Sequence, residues 1–280
     1  MKTKTHVFMI LIAMVMVFTM GSSSLKAQSI WLSNNDGKSI SLEGFKPIYD
    51  EEGYSFSTGT FSLGFRFPIG KSLLVAELPY VHAAYKFESP YFNMSLSESG
   101  IGNPYIGLQQ RVSNSSTFGE VGLRIPLASE DKWLANMIGI YTDLDCQEAF
   151  VPHWLPITAM LNYWKKSDSG LIFRLRGGPL LWINTEKSEF DDSMELLMKY
   201  SAQIGYESGQ VRLLGGLIGR MIVTEGDLNI SERTAHQLGF SASVGFGNIR
   251  PGILILLPLE EEIKEVINYT LGVNLEVTLP

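Results

Sequence analysis

The chain has 280 residues, of which 45% are hydrophobic and only 18% are charged, and its formal net charge is −7. The acidic balance argues against nucleic-acid binding, and so few charges would cover a water-soluble surface poorly. The single cysteine, Cys146, excludes an internal disulfide. We interpret Cys146 as a partly buried small apolar residue, because no base of recognisable pattern surrounds it.

The amino terminus predicts a secretory signal peptide over residues 1–27. Lys2 and Lys4 form a basic start, and Val7–Phe18 is an apolar run shorter than the roughly 20 residues of a spanning helix. Cleavage is expected after Ala27, which leaves residues 28–280 as a single domain. Downstream apolar runs are too short for a spanning helix, so the sequence does not predict a helical inner-membrane protein.

A two-residue alternation of apolar and polar side chains predicts strands along most of the mature chain. Thr234–Phe246 and Tyr269–Leu279 show it most clearly, with apolar residues at every second position. Successive side chains of a strand point to opposite faces, so each such strand has one apolar and one polar surface. We expect the apolar face to meet lipid and the polar face to line a lumen.

Turn residues divide the chain into hairpins in which short and long connections alternate. The short turns are Pro68–Lys71, Ser113–Ser116, Lys166–Ser169, Glu207–Gln210 and Gly247–Gly252. The longer polar connections are Glu88–Gly100, Ala128–His153, Asn184–Glu195, Glu225–Glu232 and Glu260–Glu265. Outer-membrane barrels alternate short periplasmic turns with longer external loops in the same way.

The predicted fold is therefore all-β, a transmembrane antiparallel up-and-down β-barrel of about 12 strands. The first strand, Ser39–Phe45, is the weakest prediction, since it is included so that both termini lie on the periplasmic side. Ten or fourteen strands therefore remain compatible with the pattern. The alternative fold is a soluble β-sandwich. A sandwich would need partner sheets to cover each apolar face, and it would not explain the alternation of turns.

Charged residues on the predicted strands fall on the nominal inner face, where they avoid the roughly 2–4 kcal/mol cost of a charge facing mid-membrane lipid. The predicted lumen-lining ladder consists of Arg66, Glu120, Arg124, Arg174, Arg176, Lys199, Glu207, Arg212, Arg220 and Glu276. Two interpretations stay open. The ladder forms salt bridges that fill a narrow barrel, or it lines a path that selects small solutes. Trp164 and Trp182, near strand ends, are typical of an interfacial girdle.

Ala128–His153 is too long for a plain loop. The 3–4 spacing of apolar residues over Trp133–Tyr141 predicts a short helix, and the segment either enters the lumen as a plug or packs outside as a cap. The stretch Gln28–Lys38 is the other candidate plug. Three acidic residues in the long segment, Asp143, Asp145 and Glu148, lack the glycine and final glutamate of a calcium loop, so we interpret them as solvated rather than as metal ligands.

No catalytic, metal or cofactor motif stands out in the sequence. A lipid-active enzyme would need a serine and a histidine together on the outer wall, with His236 or His82 as the base. We interpret His236 as an interfacial histidine beside an aromatic belt. The sequence therefore predicts neither an enzyme nor a bound cofactor.

One strand start resembles a known group of barrels. Residues 99–108, S-G-I-G-N-P-Y-I-G-L, are similar to the G-x-G-D-x-x-x-G-L start found in channel-like proteins of the phenol-degradation meta-pathway, with Asn103 where aspartate is usual. Phe118–Pro126 is similar to the strand that follows in that group, and Lys26–Gln28 resembles signal ends of Bacteroidetes. The resemblance implies a 12-strand-type barrel that passes small, often apolar molecules, and it carries over no catalytic residue.

The function that the sequence favours is passive or gated passage of a small solute through a charge-lined lumen in the cell outer membrane of a Gram-negative bacterium. A plugged structural barrel that binds envelope components is the main alternative, and a lipid-active enzyme is a third. The expected partners are outer-membrane lipid, the barrel-assembly machinery and an unknown small solute.

Overall fold

The structure, a computed structural model, describes residues 37–49, 54–88, 93–111, 116–186, 194–225 and 229–280. The predicted signal peptide, most of the candidate plug Gln28–Lys38 and most of the turn Ser113–Ser116 lie outside these ranges. The strands are β1 Ser39–Ile48, β2 Tyr54–Phe56, β3 Gly59–Ile69, β4 Ser72–Glu88, β5 Asn93–Ile101, β6 Tyr105–Arg111, β7 Thr117–Arg124, β8 Trp154–Lys166, β9 Leu171–Asn184, β10 Met194–Ser208, β11 Val211–Ile222, β12 Thr234–Val244, β13 Ile249–Pro258 and β14 Tyr269–Thr278. The helices are α1 Trp133–Thr142 and α2 Glu261–Lys264, with 3₁₀ turns at Glu130–Lys132 and Gln147–Phe150.

These strands close into a barrel of twelve antiparallel staves, where a stave is one crossing of the barrel wall and consists of one strand or of two consecutive strands. The stave that starts with β2 continues into β3, and the one that starts with β5 continues into β6 after a break at residues 102–104. Closure comes from β1, which pairs with both β3 and β14, with Ser39 opposite Thr278. The predicted twelve-strand barrel is confirmed, including its first strand.

The surface of the barrel is inverted relative to that of a soluble protein. Large apolar side chains at alternate strand positions are exposed, among them Phe65, Leu108, Leu161, Leu175, Ile204, Phe240, Ile253 and Val273. The intervening positions bury polar side chains, among them Gln109, Glu120, Asn162, Lys199, Gln203, Gln237 and Asn274. A continuous apolar outer belt around a polar interior requires a lipid surrounding. The protein is therefore an integral outer-membrane protein.

The wall extends beyond the membrane on the side of the long connections. β4 has 17 residues, whereas a tilted strand crosses the hydrocarbon core with about 9–11, and its far half pairs with β2 and β5. The prediction of a polar connection at Glu88–Gly100 is wrong over β5. β5 pairs with β4 through its backbone. Serines occupy alternate positions of β5, so the apolar alternation by which the other strands were predicted is missing there.

Two tryptophans predicted for the interfacial girdle point inward instead. Trp182 is buried against Leu180 and Leu197, and Trp164 lies beneath the guanidinium of Arg174, 4.1 Å from the ring centroid. Each tryptophan is an even number of positions away from the buried, lumen-facing residues of its strand, so its side chain points to the same face as theirs. Within the described ranges, no helix combines the length and the apolar character needed to cross a membrane.

Candidate functional site

Residues 128–153, here called the plug, lead from β7 to β8 through the interior of the barrel. The predicted helix is present as α1, whose buried side chains Leu134 and Ile138 pack on Val81 of β4 and on Phe150. Gly139 makes this packing close, because a Cβ there would lie 2.3 Å from Cγ of Phe150. The extended half of β4 thus supplies the apolar wall that positions the helix.

Asn103, in the break between β5 and β6, fastens both ends of the plug. Its Oδ1 accepts hydrogen bonds from the backbone N–H groups of Leu127 and Ala128, each at 2.8 Å. Its Nδ2 donates to the carbonyl oxygens of Glu148 at 3.1 Å and Val151 at 2.8 Å. The side chain is fully buried, so one amide satisfies four backbone groups that would otherwise lack partners away from water.

Two plug carboxylates meet three cations of consecutive staves, and we call these five residues the latch. Asp145 contacts Arg176 of β9 at 3.0 Å and Lys199 of β10 at 3.2 Å. Glu148 contacts Lys199 at 2.9 Å through Oε1 and Arg220 of β11 at 2.9 Å through Oε2. Since all five side chains are largely shielded from water, the latch is an ion-pair network in a low-dielectric interior.

The same wall residues also satisfy the irregular backbone of the plug. Arg220 donates to the carbonyl oxygen of Leu144 at 2.6 Å, and Lys199 donates to the carbonyl oxygen of Asp145. On β14, three strands beyond β11 in the barrel, the hydroxyl of Thr270 donates to the carbonyl oxygen of Thr142 at 3.0 Å. Non-helical backbone inside a membrane barrel needs such partners, so the lumen surface and the plug match over several staves.

Burial and neighbouring charges shift the pKa values of the carboxyl groups in the plug. Burial alone would raise the pKa of Glu148, but Lys199 and Arg220 hold that pKa well below its usual range. Lys199 and Arg176 likewise outweigh burial and lower the pKa of Asp145. Asp143 makes no ion pair with a described cation, and burial, followed by the charge of Asp145, raises its pKa despite the charge of Lys199.

The interpretation of Asp143, Asp145 and Glu148 as solvated is wrong, because all three are buried. The reason lies in distance along the chain. The cations that neutralise Asp145 and Glu148 belong to strands that begin well after the plug, and nothing local to the plug predicts them. Burial also raises the pKa of Cys146, and nearby carboxylates, Glu77 first, add to the shift. The thiol therefore stays protonated and unreactive.

The remaining residues of the predicted ladder lie on inward positions in separate groups. Arg124 of β7 pairs with Glu77 of β4 at 3.0 Å, lies 3.9 Å from Oε1 of Glu148 in the plug, and donates to the carbonyl oxygen of Asn103 at 3.0 Å. Glu120 accepts a hydrogen bond from Tyr105, a residue that the sequence pattern did not single out. The structure brings Arg124, Arg176, Lys199 and Arg220 to the plug, while Glu120 lines the wall beside them.

A second group lies nearer the short turns. Glu207 pairs with Arg212 and with Lys166, and Arg66 and Glu276 are buried near the barrel's closing strands. None of these contacts the plug through a described ion pair. Asn103 belongs to the strand-start motif, which assigned it no role in holding the plug. Tyr105, Thr270 and Gln237, whose Oε1 accepts from the backbone N–H of Leu144 at 3.3 Å, are uncharged, so the ladder of strand charges could not reveal them.

Below the latch lies a polar cavity of about 50 Å³, lined by residues that include Tyr105, Gln109, Glu120 and Thr158. The amide of Gln109 is buried with neither of its polar atoms hydrogen-bonded to a described group. A space of this size and polarity suits a few water molecules. It is too small for an organic solute.

The two histidines considered as bases lie on outward positions. His82 Nδ1 is 2.8 Å from the hydroxyl of Ser99, its neighbour across β4 and β5. His236 Nε2 is 2.6 Å from the hydroxyl of Tyr200, and its Nδ1 is 2.8 Å from Glu260. Gly219 separates Tyr200 and His236 in the sheet, and its missing side chain leaves room for the tyrosine ring.

The fold and the inverted surface define an outer-membrane β-barrel of porin-like architecture. No family model and no curated protein matches the sequence. Among solved structures, the chain is similar to an outer membrane channel from Pseudomonas putida F1, with a TM-score of 0.57 and 11% identity over 90% of this chain and 99% of that one. It is also similar to the NanC porin, with a TM-score of 0.48 and 9% identity over 86% of this chain and 100% of that one.

Proposed function

We propose that the protein is a gated channel for a small solute, with a charge-lined lumen that the plug closes and opens. The latch is the observation that carries this proposal. Arg176, Lys199 and Arg220 serve at once as lumen wall and as docking partners of Asp145 and Glu148. When the plug leaves, the same cations line an aqueous path.

The energetics of buried charges favour two discrete states over a loosely held plug. Taking charges out of water is costly, and close pairing with hydrogen bonds is needed to offset that cost. A plug that moves partway would leave Glu148 near its cations but outside hydrogen-bond range, without full hydration. The docked and the fully hydrated positions are therefore the stable ones, which is the behaviour of a gate.

The test is single-channel conductance of the refolded mature chain in a planar bilayer. We expect rare, brief steps from the wild type and frequent steps from the double variant Asp145→Asn, Glu148→Gln. Glu207→Gln is the matched control, because it also breaks a lumen ion pair, with Arg212, but away from the plug. Folding of each variant is checked by heat-modifiable mobility. Equal silence of the wild type, the double variant and a variant without residues 130–150 would contradict the channel.

A plugged structural barrel is the second candidate, and the specific observation in its favour is that each latch cation already pairs with a carboxylate of the plug. A structural barrel predicts no channel conductance, even from the variant that lacks residues 130–150. In that case the long connections, Glu225–Glu232 among them, become the surfaces to test for envelope binding.

We further propose kinship with the meta-pathway channel-like group and a Bacteroidetes-type source. The support is the strand start at residues 99–108, where Asn103 holds the plug. The charged lumen argues for a polar or charged solute, whereas that group is associated with often apolar ones. We also propose that residues 28–280 act as one domain after loss of residues 1–27, with outer-membrane lipid and the barrel-assembly machinery as partners.

We propose that the protein is not an enzyme and uses no cofactor. Two outward arrangements among the described residues favour the lipid-active alternative. Tyr200, His236 and Glu260 join a hydroxyl, a base and a carboxylate, and His82 lies 2.8 Å from the hydroxyl of Ser99. Incubation of the folded protein with phospholipid vesicles tests this directly. Release of fatty acid that disappears in His236→Ala or in His82→Ala would overturn the proposal.

A further inference from the structure

We propose that Glu130, His153 and Glu186 form a binding site for a divalent transition-metal ion, with Zn²⁺ as the representative, at the end of the barrel that carries the long connections. One ligand atom from each residue lies within 4.8 Å of the other two. The site lies outside the latch and does not depend on the proposed channel function.

The three side chains come from three different parts of the chain. Glu130 opens the 3₁₀ turn at the start of the plug, His153 ends the plug, and Glu186 follows β9. His153 Nε2 lies 3.0 Å from Oε2 of Glu130, and its Nδ1 lies 3.9 Å from Oε2 of Glu186. Two carboxylates from neighbouring connections thus lie beside one imidazole.

The backbone of His153 is held in an unusual conformation that fixes this convergence. Its φ of 62° is the only positive value at a non-glycine residue among the described ranges, a conformation that costs free energy and clusters at functional sites. The backbone N–H and the hydroxyl of Thr185 both donate to the carbonyl oxygen of His153, at 2.7 and 2.6 Å. Thr185 immediately precedes Glu186, so the same contacts position the third side chain.

An ion pair between Glu130 and His153 does not by itself explain why Glu186 also lies beside the imidazole. An exposed contact between Glu130 and a protonated His153 contributes little, and a second carboxylate near the first adds like-charge repulsion. A divalent ion removes that repulsion and satisfies all three groups. The donor set of one nitrogen and two carboxylate oxygens suits zinc and its first-row neighbours, whereas calcium and magnesium prefer oxygen ligands alone.

The site would act as a clasp on the plug. Glu130 and His153 stand at the two ends of the plug, and Glu186 belongs to the neighbouring connection, so one ion joins both ends to the wall. The side chains are exposed, at 67% for Glu130, 56% for Glu186 and 37% for His153, and water can complete the coordination sphere.

The experiment is calorimetric titration of the folded full mature chain in detergent with Zn²⁺ alone. We expect one strong site per chain, weakened at least about tenfold in His153→Asn, the low end of the loss seen when even an outer partner of a metal ligand is removed. Asparagine is chosen because it tolerates a positive φ, so the variant removes the imidazole without adding backbone strain. Glu186→Gln is the second variant, should His153→Asn fail to fold.

Asp131→Asn is the matched control, because Asp131 is an exposed carboxylate directly beside Glu130 that is not part of the cluster. Retention of the strong site in Asp131→Asn, with its loss in His153→Asn and Glu186→Gln, supports the proposal. Absence of a strong site in the wild type, or a site that survives in both cluster variants, overturns it. The Cu²⁺ electron paramagnetic resonance spectrum adds a direct readout, since nitrogen coupling must disappear in His153→Asn.

Discussion

At the scale of single residues, Asn103 shows how one buried amide can organise a plug. Its donors and acceptor face opposite ends of residues 128–153. We expect Asn103→Ala to lower the free energy of unfolding by about 4 kcal/mol, the low end for four buried groups that each cost about 1–3 kcal/mol when left without a partner. Urea unfolding of the refolded barrel, followed by tryptophan fluorescence, measures the effect.

Asn268→Ala is the control for this prediction, because Asn268 is exposed in the connection before β14. We expect it to change stability by less than about 0.5 kcal/mol. A similarly small effect for Asn103→Ala would mean that water replaces the amide easily, and Asn103 would then not be a fastening point.

Gly219 offers a second test at this scale, on the outer wall. A Cβ there would lie 2.3 Å from the ring of Tyr200, so Gly219→Ala must displace the ring and break the hydrogen bond from Tyr200 to His236. We expect a loss of about 1–3 kcal/mol, as for other overpacked sites, measured by the same unfolding experiment. Gly177→Ala is the matched control, since its Cβ would meet nothing closer than 3.8 Å. Equal losses in both would trace the effect to the strand rather than to the ring.

At the scale of elements, what the sequence could predict depended on whether the determining pattern was local. Alternation within a strand is local, so β14 and most other staves were predicted from their own residues. β5 was missed because it lacks an apolar face. The docking of the plug was beyond prediction, since Glu148 meets Lys199 and Arg220 only after the barrel has closed.

The plug should respond to pH through Asp143. Docking raises the pKa of this carboxyl, so the docked state retains a proton that the released state loses above the ordinary aspartate range of about 4. Docking therefore weakens as pH rises above that range. Asp143→Asn removes this dependence while its amide oxygen can still accept from the N–H of Asp145. We expect the variant to open less often than the wild type at pH 7 and equally often near pH 4, measured as single-channel open probability.

The latch carboxylates give the opposite dependence at lower pH. Docking lowers the pKa values of Asp145 and Glu148, so their stabilisation is fully present above the ordinary carboxyl range of about 4 and is lost as pH falls below it. Open probability should therefore rise again in strong acid, in the wild type and in Asp143→Asn alike. A wild-type channel that closes further below pH 4 would contradict the latch.

At the scale of the whole molecule, the inversion of inside and outside explains why so much of the architecture was readable from sequence. Lipid demands an apolar residue at each outward position of the belt, and closure leaves no free edge that would need other protection. The number of staves then follows from counting turns. Inward positions are not restricted to one kind of side chain. Arg174 stacks on Trp164, whereas Arg212 pairs with Glu207. The inward position of a residue therefore does not predict its partner.

The membrane belt itself makes the last prediction. Val273 lies midway along β14, opposite Gly44 and Ile253, and its side chain is 60% exposed. Val273→Arg should make folding into lipid vesicles less favourable by about 2–4 kcal/mol, the cost of an arginine at the bilayer midplane. Val266→Arg makes the same change in the connection before β14, where the side chain is also exposed but lies outside the spanning strands. It should cost at most about 1 kcal/mol, as at the interface. Folding yields in vesicles over a urea series give both values, and equal costs would mean that Val273 does not face lipid.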